Sequence, residues 1–185
     1  MRITVYLGAS EGSDPSLGQA VRELGRWIGQ MGHTLVYGGS KTGLMGQLAH
    51  SALAAGAPVI GVETRFFVEE GVHCEELTRL IVAETMAERR TRMIELGEAF
   101  IAFPGGTGTL EEIAEVMCAS AMGRLKAPVV LYDLNGYYQD LRRQLQKMVD
   151  MELSDRTRQA GIHFAGSLEE MAALLGEGEK AESGQ

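Results

Sequence analysis

Cysteine occurs only twice in this 185-residue chain, and proline only four times. Two thiols cannot staple a disulfide scaffold, and no collagen period accompanies the prolines. No apolar run reaches the roughly 20 residues that a bilayer-spanning helix needs. Met1-Arg2-Ile3-Thr4-Val5-Tyr6 enters a strand-like run at once, so no secretory leader is expected and a cytoplasmic protein is the default. Positive charge is also short: 17 Lys and Arg against 25 Asp and Glu give a net charge of −8. That balance repels a polyphosphate backbone, so no nucleic acid polymer is expected as a partner. A small phosphorylated ligand is a different matter, because backbone amides and a few arginines can hold one locally. What the chain has in excess is glycine, 24 residues of 185 against a usual share of about 7%. Hydrophobic residues make up 45%, which suits one globular domain with a sizeable core.

Along the chain, short apolar runs alternate with helical patterns. Strands are predicted over residues 3–7, 34–37, 58–62, 77–83, 99–103 and 128–132, with an edge strand over 161–165. The first helix opens with Asp14 as N-cap and Pro15 at the first helical position. It continues through Leu17, Val21, Leu24, Ile28 and Met31 at helical spacing, and closes at Gly32. Further helices are predicted over 43–55, ended by Gly56, and over 86–96, 109–122 and 137–151. Another covers 167–175, opened by the capping-box pattern Ser167-Leu168-Glu169-Glu170. Residues 63–76 read as a loop or lid, and 177–185 as a fraying tail outside the domain over 1–176. Strands alternating with helices imply an α/β fold, a doubly wound parallel sheet flanked by helices. Ligands of such sheets sit beyond the carboxyl ends of the strands, where strand order reverses. The glycine clusters follow the first, second and fifth strands, at that edge.

The strongest segment is Phe103-Pro104-Gly105-Gly106-Thr107-Gly108-Thr109-Leu110-Glu111-Glu112. Glycines between strand and helix let the backbone approach a phosphate, and the helix start offers unpaired N–H groups with partial positive charge. Thr107 and Thr109 add hydroxyls. The plain alternative is a tight turn with Thr109 as N-cap and Glu112 as its capping-box partner. The segment is neither a Walker A loop nor the dinucleotide fingerprint. A second cluster, Gly38-Gly39-Ser40-Lys41-Thr42-Gly43-Leu44-Met45-Gly46, joins another strand to its helix, and its plain reading is a packed turn. The third is Met86-Ala87-Glu88-Arg89-Arg90-Thr91-Arg92-Met93. Arginine in the first turns opposes the helix dipole, which suits a chain that holds an anion there. Charge spacing alone favours a solvated arginine face paired with Glu88 and Glu95. His73-Cys74-Glu75-Glu76 has no second pair at ligand spacing and reads as a surface loop, so no metal is expected. No nucleophile motif is present.

Pro104-Gly105-Gly106-Thr107-Gly108-Thr109-Leu110-Glu111-Glu112 fits the pattern PGGxGTxxE. Together with the Gly38–Gly46 and Met86–Met93 clusters, in this order, it resembles the Lonely Guy family over about residues 3–175. Those are cytokinin riboside 5′-monophosphate phosphoribohydrolases, often mislabelled lysine decarboxylases. The resemblance implies a Rossmann-like sandwich and a homodimer. It implies cleavage of the N-glycosidic bond of an AMP-like nucleotide, N6-modified or not, without metal or organic cofactor. It implies that Arg89 and Glu112 are the catalytic pair and that Gly105, Gly106, Thr107, Gly108 and Thr109 hold phosphate. Ser10, Gly38, Gly39, Gly43, Met45, Met86 and Arg90 are the further expected substrate contacts. The family's Met-His-x-Arg-Lys reads Met86-Ala87-Glu88-Arg89-Arg90 here, and its Thr-Trp-Ala-Gln-Leu-Gly reads Cys118-Ala119-Ser120-Ala121-Met122-Gly123. These departures bear on the base that is taken rather than on the bond that breaks. The alternative is a non-catalytic carrier resembling molybdenum-cofactor carriers, which share the glycine loops but not, as a rule, the Arg and Glu pair. A pyridoxal-dependent decarboxylase fits poorly, since the chain has only four lysines and none in a Schiff-base setting.

Overall fold

The structure, a computed structural model, describes the backbone of residues 1–182 and the side chains of residues 1–176. The tail expected over 177–185 lies outside the fully described residues. Seven strands form one sheet: β1 Arg2–Tyr6, β2 Thr34–Tyr37, β3 Val59–Thr64, β4 Arg79–Ala83, β5 Ala99–Ala102, β6 Val129–Tyr132 and β7 Ile162–Ala165. The helices are α1 Pro15–Gln30, α2 Gly43–Ala54, α3 Arg65–Glu69, α4 Met86–Leu96, α5 Thr107–Ala121, α6 Gln139–Asp150 and α7 Leu168–Glu182. Every strand pair is parallel, and the order is β4-β3-β2-β1-β5-β6-β7. The chain winds outward from β1 to β4, then crosses back to the other side of β1. The reversal therefore falls between β1 and β5, and the expected doubly wound α/β fold is present.

The central strands are buried on both faces, which is why they read as unbroken apolar runs. Ile3, Val5 and Leu7 pack against α1, α2 and α7. Tyr6 points the other way, with Met93 of α4 and Ile113 and Val116 of α5. Thr4 is fully buried there, and its hydroxyl donates to the Met93 carbonyl at 3.0 Å. The helix starts follow local chemistry. Asp14 Oδ1 accepts from the Ser16 amide at 2.9 Å, and Ser167 Oγ accepts from the Glu170 amide at 3.2 Å.

Three readings are corrected. Strand β3 runs to Thr64, because Glu63 and Thr64 stay in register with Val82 and Ala83 of β4. The stretch read as a loop thus begins inside the sheet. It contains α3 and then returns to the site, with the Lys41 amide donating to Val72 O at 2.9 Å and the Cys74 amide to Gly39 O at 2.8 Å. Cys74 is buried, so His73-Cys74 is not a simple surface loop. Helix α5 begins at Thr107 with Gly106 as its cap residue, so Thr109 does not cap it. Glu112 is no capping partner either, because its carboxylate is drawn sideways to an arginine of α4.

Candidate active site

The loops after β1, β2 and β5 meet at the carboxyl edge of the sheet. A cleft of about 510 Å³ opens between the loop after β1 and the start of α5. Among the expected site residues, Ser10, Met45, Met86, Arg89, Gly105, Gly106, Thr107, Gly108, Thr109 and Glu112 line it. Gly38, Gly39, Gly43 and Arg90 are not part of that lining. Leu7, Gly8, Leu44 and Tyr137 line it as well.

One wall is the N-terminus of α5. Gly106 has no side chain to cap the helix, and the first backbone bond of α5 runs from the Leu110 amide to Gly106 O at 3.1 Å. The amides of Thr107, Gly108 and Thr109 precede that bond, where a helix carries its orphan donors and positive partial charge. The loop before them is braced by the Tyr137 hydroxyl, which donates to Gly105 O. An anion can settle on this wall without any cationic side chain.

The inner part of the cleft, which α4 and the next turn of α5 supply, is ionic. Arg89, in the second turn of α4, is only 6% exposed. Its Nη1 donates to Glu112 Oε1 at 2.8 Å, its Nε to Val62 O at 2.9 Å, and its Nη2 to Gly38 O at 3.3 Å. Glu63, at the end of β3, brings a second carboxylate, with Oε1 at 3.5 Å from Arg89 Nε. Burial pushes the Glu112 carboxyl above its ordinary range, and the Arg89 charge pulls it part of the way back. Burial likewise raises the Glu63 carboxyl, and the Arg89 charge again lowers it part of the way.

The arginines of α4 therefore divide. Arg92 is the solvated residue that spacing suggested, with Glu95 at 3.1 Å and Glu88 at 3.8 Å. Arg90 is committed to α5, at 3.0 Å from Glu111 and 2.9 Å from Glu115. Only Arg89 reaches the cleft, and its anions are carboxylates of the protein itself. The α4 start is satisfied by Thr85 Oγ1, which accepts from the Glu88 amide at 3.1 Å, and Glu88 is an acid in the first turn. Sequence reasoning missed Glu63 and Tyr137. The continuing β-branched run of Val59–Thr64, with a lone acid near its carboxyl end, was the available signal for Glu63.

Among the described residues, no three His, Cys, Asp or Glu side chains converge to hold a metal, and no lysine lines the cleft. The family described as possible lysine decarboxylase matches residues 45–175. A cytokinin riboside 5′-monophosphate phosphoribohydrolase of Rhodococcoides fascians is 44% identical over 141 residues, 75% of this chain and 71% of that protein. The enzyme of the same name from Oryza sativa subsp. japonica is 37% identical over 154 residues, covering 83% of this chain and 62% of its own length. In fold, the molybdenum cofactor carrier protein of Chlamydomonas reinhardtii superposes with a TM-score of 0.72 at 21% identity, over 97% of this chain and 98% of that one. At that identity the likeness concerns the fold alone. The extent of the family match and the identity to the two phosphoribohydrolases decide the assignment: this chain belongs to the Lonely Guy family, the one often labelled lysine decarboxylase.

Proposed function

We propose that the protein hydrolyses the N-glycosidic bond of an AMP-like nucleoside 5′-monophosphate, N6-modified or not, releasing free base and ribose 5-phosphate. The observation that carries this reading is the buried Arg89–Glu112 pair, which lines the same cleft as the amide-rich start of α5. The phosphate rests on the amides and hydroxyls of Thr107 to Thr109, which leaves the ribose towards Glu112. As the bond from C1′ to the base nitrogen breaks, positive charge develops on the sugar. The Glu112 carboxylate stabilises that charge and accepts a proton from the water that adds to C1′. The base leaves with the bonding electron pair and takes a proton from solvent, and Glu112 returns its own proton to solvent, so water is split between sugar and base. Arg89 keeps Glu112 ionised and oriented. No lysine lies at the cleft for a pyridoxal Schiff base, which disfavours a decarboxylase despite the family's label.

The sign of the pH dependence follows from the carboxylate. The ionised form acts, and its pKa lies above the ordinary glutamate value, so activity falls as pH drops through that raised value. The direct test is incubation with AMP and then other nucleoside monophosphates, with detection of free base and ribose 5-phosphate. Glu112→Gln should fold and lose about 10²–10³ in kcat. Near-normal turnover by that variant removes Glu112 from catalysis. Binding of nucleotide with no turnover of any of them would make the protein a carrier instead. No helix among the described residues is long and apolar enough to cross a membrane, and the compartment we propose is the cytoplasm. A homodimer would cover apolar side chains that α4 and α5 leave exposed, Met86 and Leu110 among them.

A further inference from the structure

We propose that Glu63 is a positioning residue for the catalytic pair, a second buried carboxylate that anchors Arg89 from behind and shares its positive charge with Glu112. The inference rests on the hydrolase reading for its kinetic consequence, but not for its electrostatic one. Glu63 is 4% exposed, Arg89 6% and Glu112 9%, so one buried cation serves two buried anions. Glu63 is itself fixed, since its Oε1 accepts from the Thr64 amide at 2.8 Å. Its 3.5 Å separation from Arg89 Nε is an ion pair, because that N–H donates to Val62 O. Glu63, Val62 O and Gly38 O thereby hold one side of the guanidinium, which leaves Nη1 for Glu112. Buried charges need several such partners to stay in place.

Among the described residues, no second cation lies at hydrogen-bond range of either carboxylate. Glu63 faces Arg89, His73 and Tyr37, and the His73 Nδ1 atom is buried without a hydrogen-bond partner. Glu112 faces Arg89, Arg90, Glu111 and the Tyr6 phenol. His73 reaches this place because residues 72–74 pair with residues 39–41 behind the site. A negative charge at Glu63 therefore draws on the same guanidinium that favours ionised Glu112, and it keeps the Glu112 proton on to higher pH.

Glu63→Gln preserves the acceptor oxygen and removes the charge, whereas Glu63→Leu removes both. Glu112 can be followed without substrate by ¹³C carboxyl NMR, its signal identified by its loss in Glu112→Gln. In Glu63→Gln the Glu112 midpoint, and with it the acid limb of kcat/KM for AMP, should move down by roughly half a pH unit to one. In Glu63→Leu, kcat should fall about tenfold or more while KM changes less than about threefold, and Glu63→Gln should recover most of that loss. An unchanged Glu112 midpoint in Glu63→Gln overturns the proposal, as does wild-type kcat in Glu63→Leu. Should Glu63→Leu fail to fold, the Glu63→Gln titration decides alone. Should the wild type turn over no nucleotide, the hydrolase reading falls by itself, and the substrate-free titration still decides the role of Glu63.

Discussion

In the loop from Gly38 to Gly46 the glycines face protein, whereas in the loop from Gly105 to Gly108 two of them face open space. A Cβ at Gly43 would sit 1.6 Å from Ala9 O, and one at Gly46 would sit 2.0 Å from Lys41 O. A Cβ at Gly38 would meet Arg89 Nη2 at 2.1 Å and Met45 Cε at 2.3 Å. In the other loop, Gly105 is held close to Thr109 and Gly8, but a Cβ at Gly106 or Gly108 would meet nothing within 4 Å. The first loop gives up side chains so that backbone and Arg89 can close the rear of the site. The second gives them up where the cleft lies, so the vacated space stays available to a ligand.

Three substitutions can break this comparison, and they are expected to differ in size and kind. Gly43→Ala should be the most severe. It places Cβ on a backbone oxygen at a φ of +54°, and neither atom can yield, so a loss of roughly 3 kcal/mol or more is expected. A thermal melt within a few degrees of wild type would show that this loop is less tightly packed than described. Gly38→Ala should be intermediate. Its neighbours are the ends of two flexible side chains, so the fold should survive while Arg89 is pushed from Gly38 O. A fall of about tenfold in kcat, with little change in KM, is expected in steady-state kinetics. Gly108→Ala should be the mildest and the most telling. Gly108 lies in the first turn of α5, where alanine is the better helix former by about 1 kcal/mol, so the melting temperature should hold or rise. KM for AMP should nonetheless rise about fivefold, because the methyl group occupies space next to the phosphate amides. An unchanged KM would remove Gly108 from the ligand wall.

Much of the fold was legible because its signals are local. Helix α4 occupies Met86–Leu96, as its pattern predicted, and Asp14 with Pro15 opens α1 as an N-cap and first-turn proline should. Strand β2 also agrees, since four apolar or β-branched residues end at Gly38-Gly39. Less legible was the end of β3. A glutamate looks like the start of a loop, and only pairing with β4 keeps Glu63 in the sheet. The two adjacent arginines of α4 posed a different difficulty. Neighbours on a helix point about 100° apart, so Arg89 and Arg90 cannot both face one cleft. Which of them does so depends on how α4 is rotated against the sheet.

By itself, then, the sequence determined the alternation of strands and helices, the placing of glycine loops at the carboxyl edge, and the motif by which Arg89 and Glu112 can be named together. The first two rest on periodicity, capping and backbone permissiveness, which act over a few residues, and the third on the resemblance to the Lonely Guy family. Only the tertiary structure decided that Glu63 joins the pair, that Arg90 serves α5, and that the two glycine loops differ in purpose. Those outcomes depend on crossovers between elements 23 to 51 residues apart, such as the Arg89 bonds to Glu112 and Gly38. In a buried place a charge must find its partners among whatever the crossovers bring near, and spacing along the chain does not reveal them.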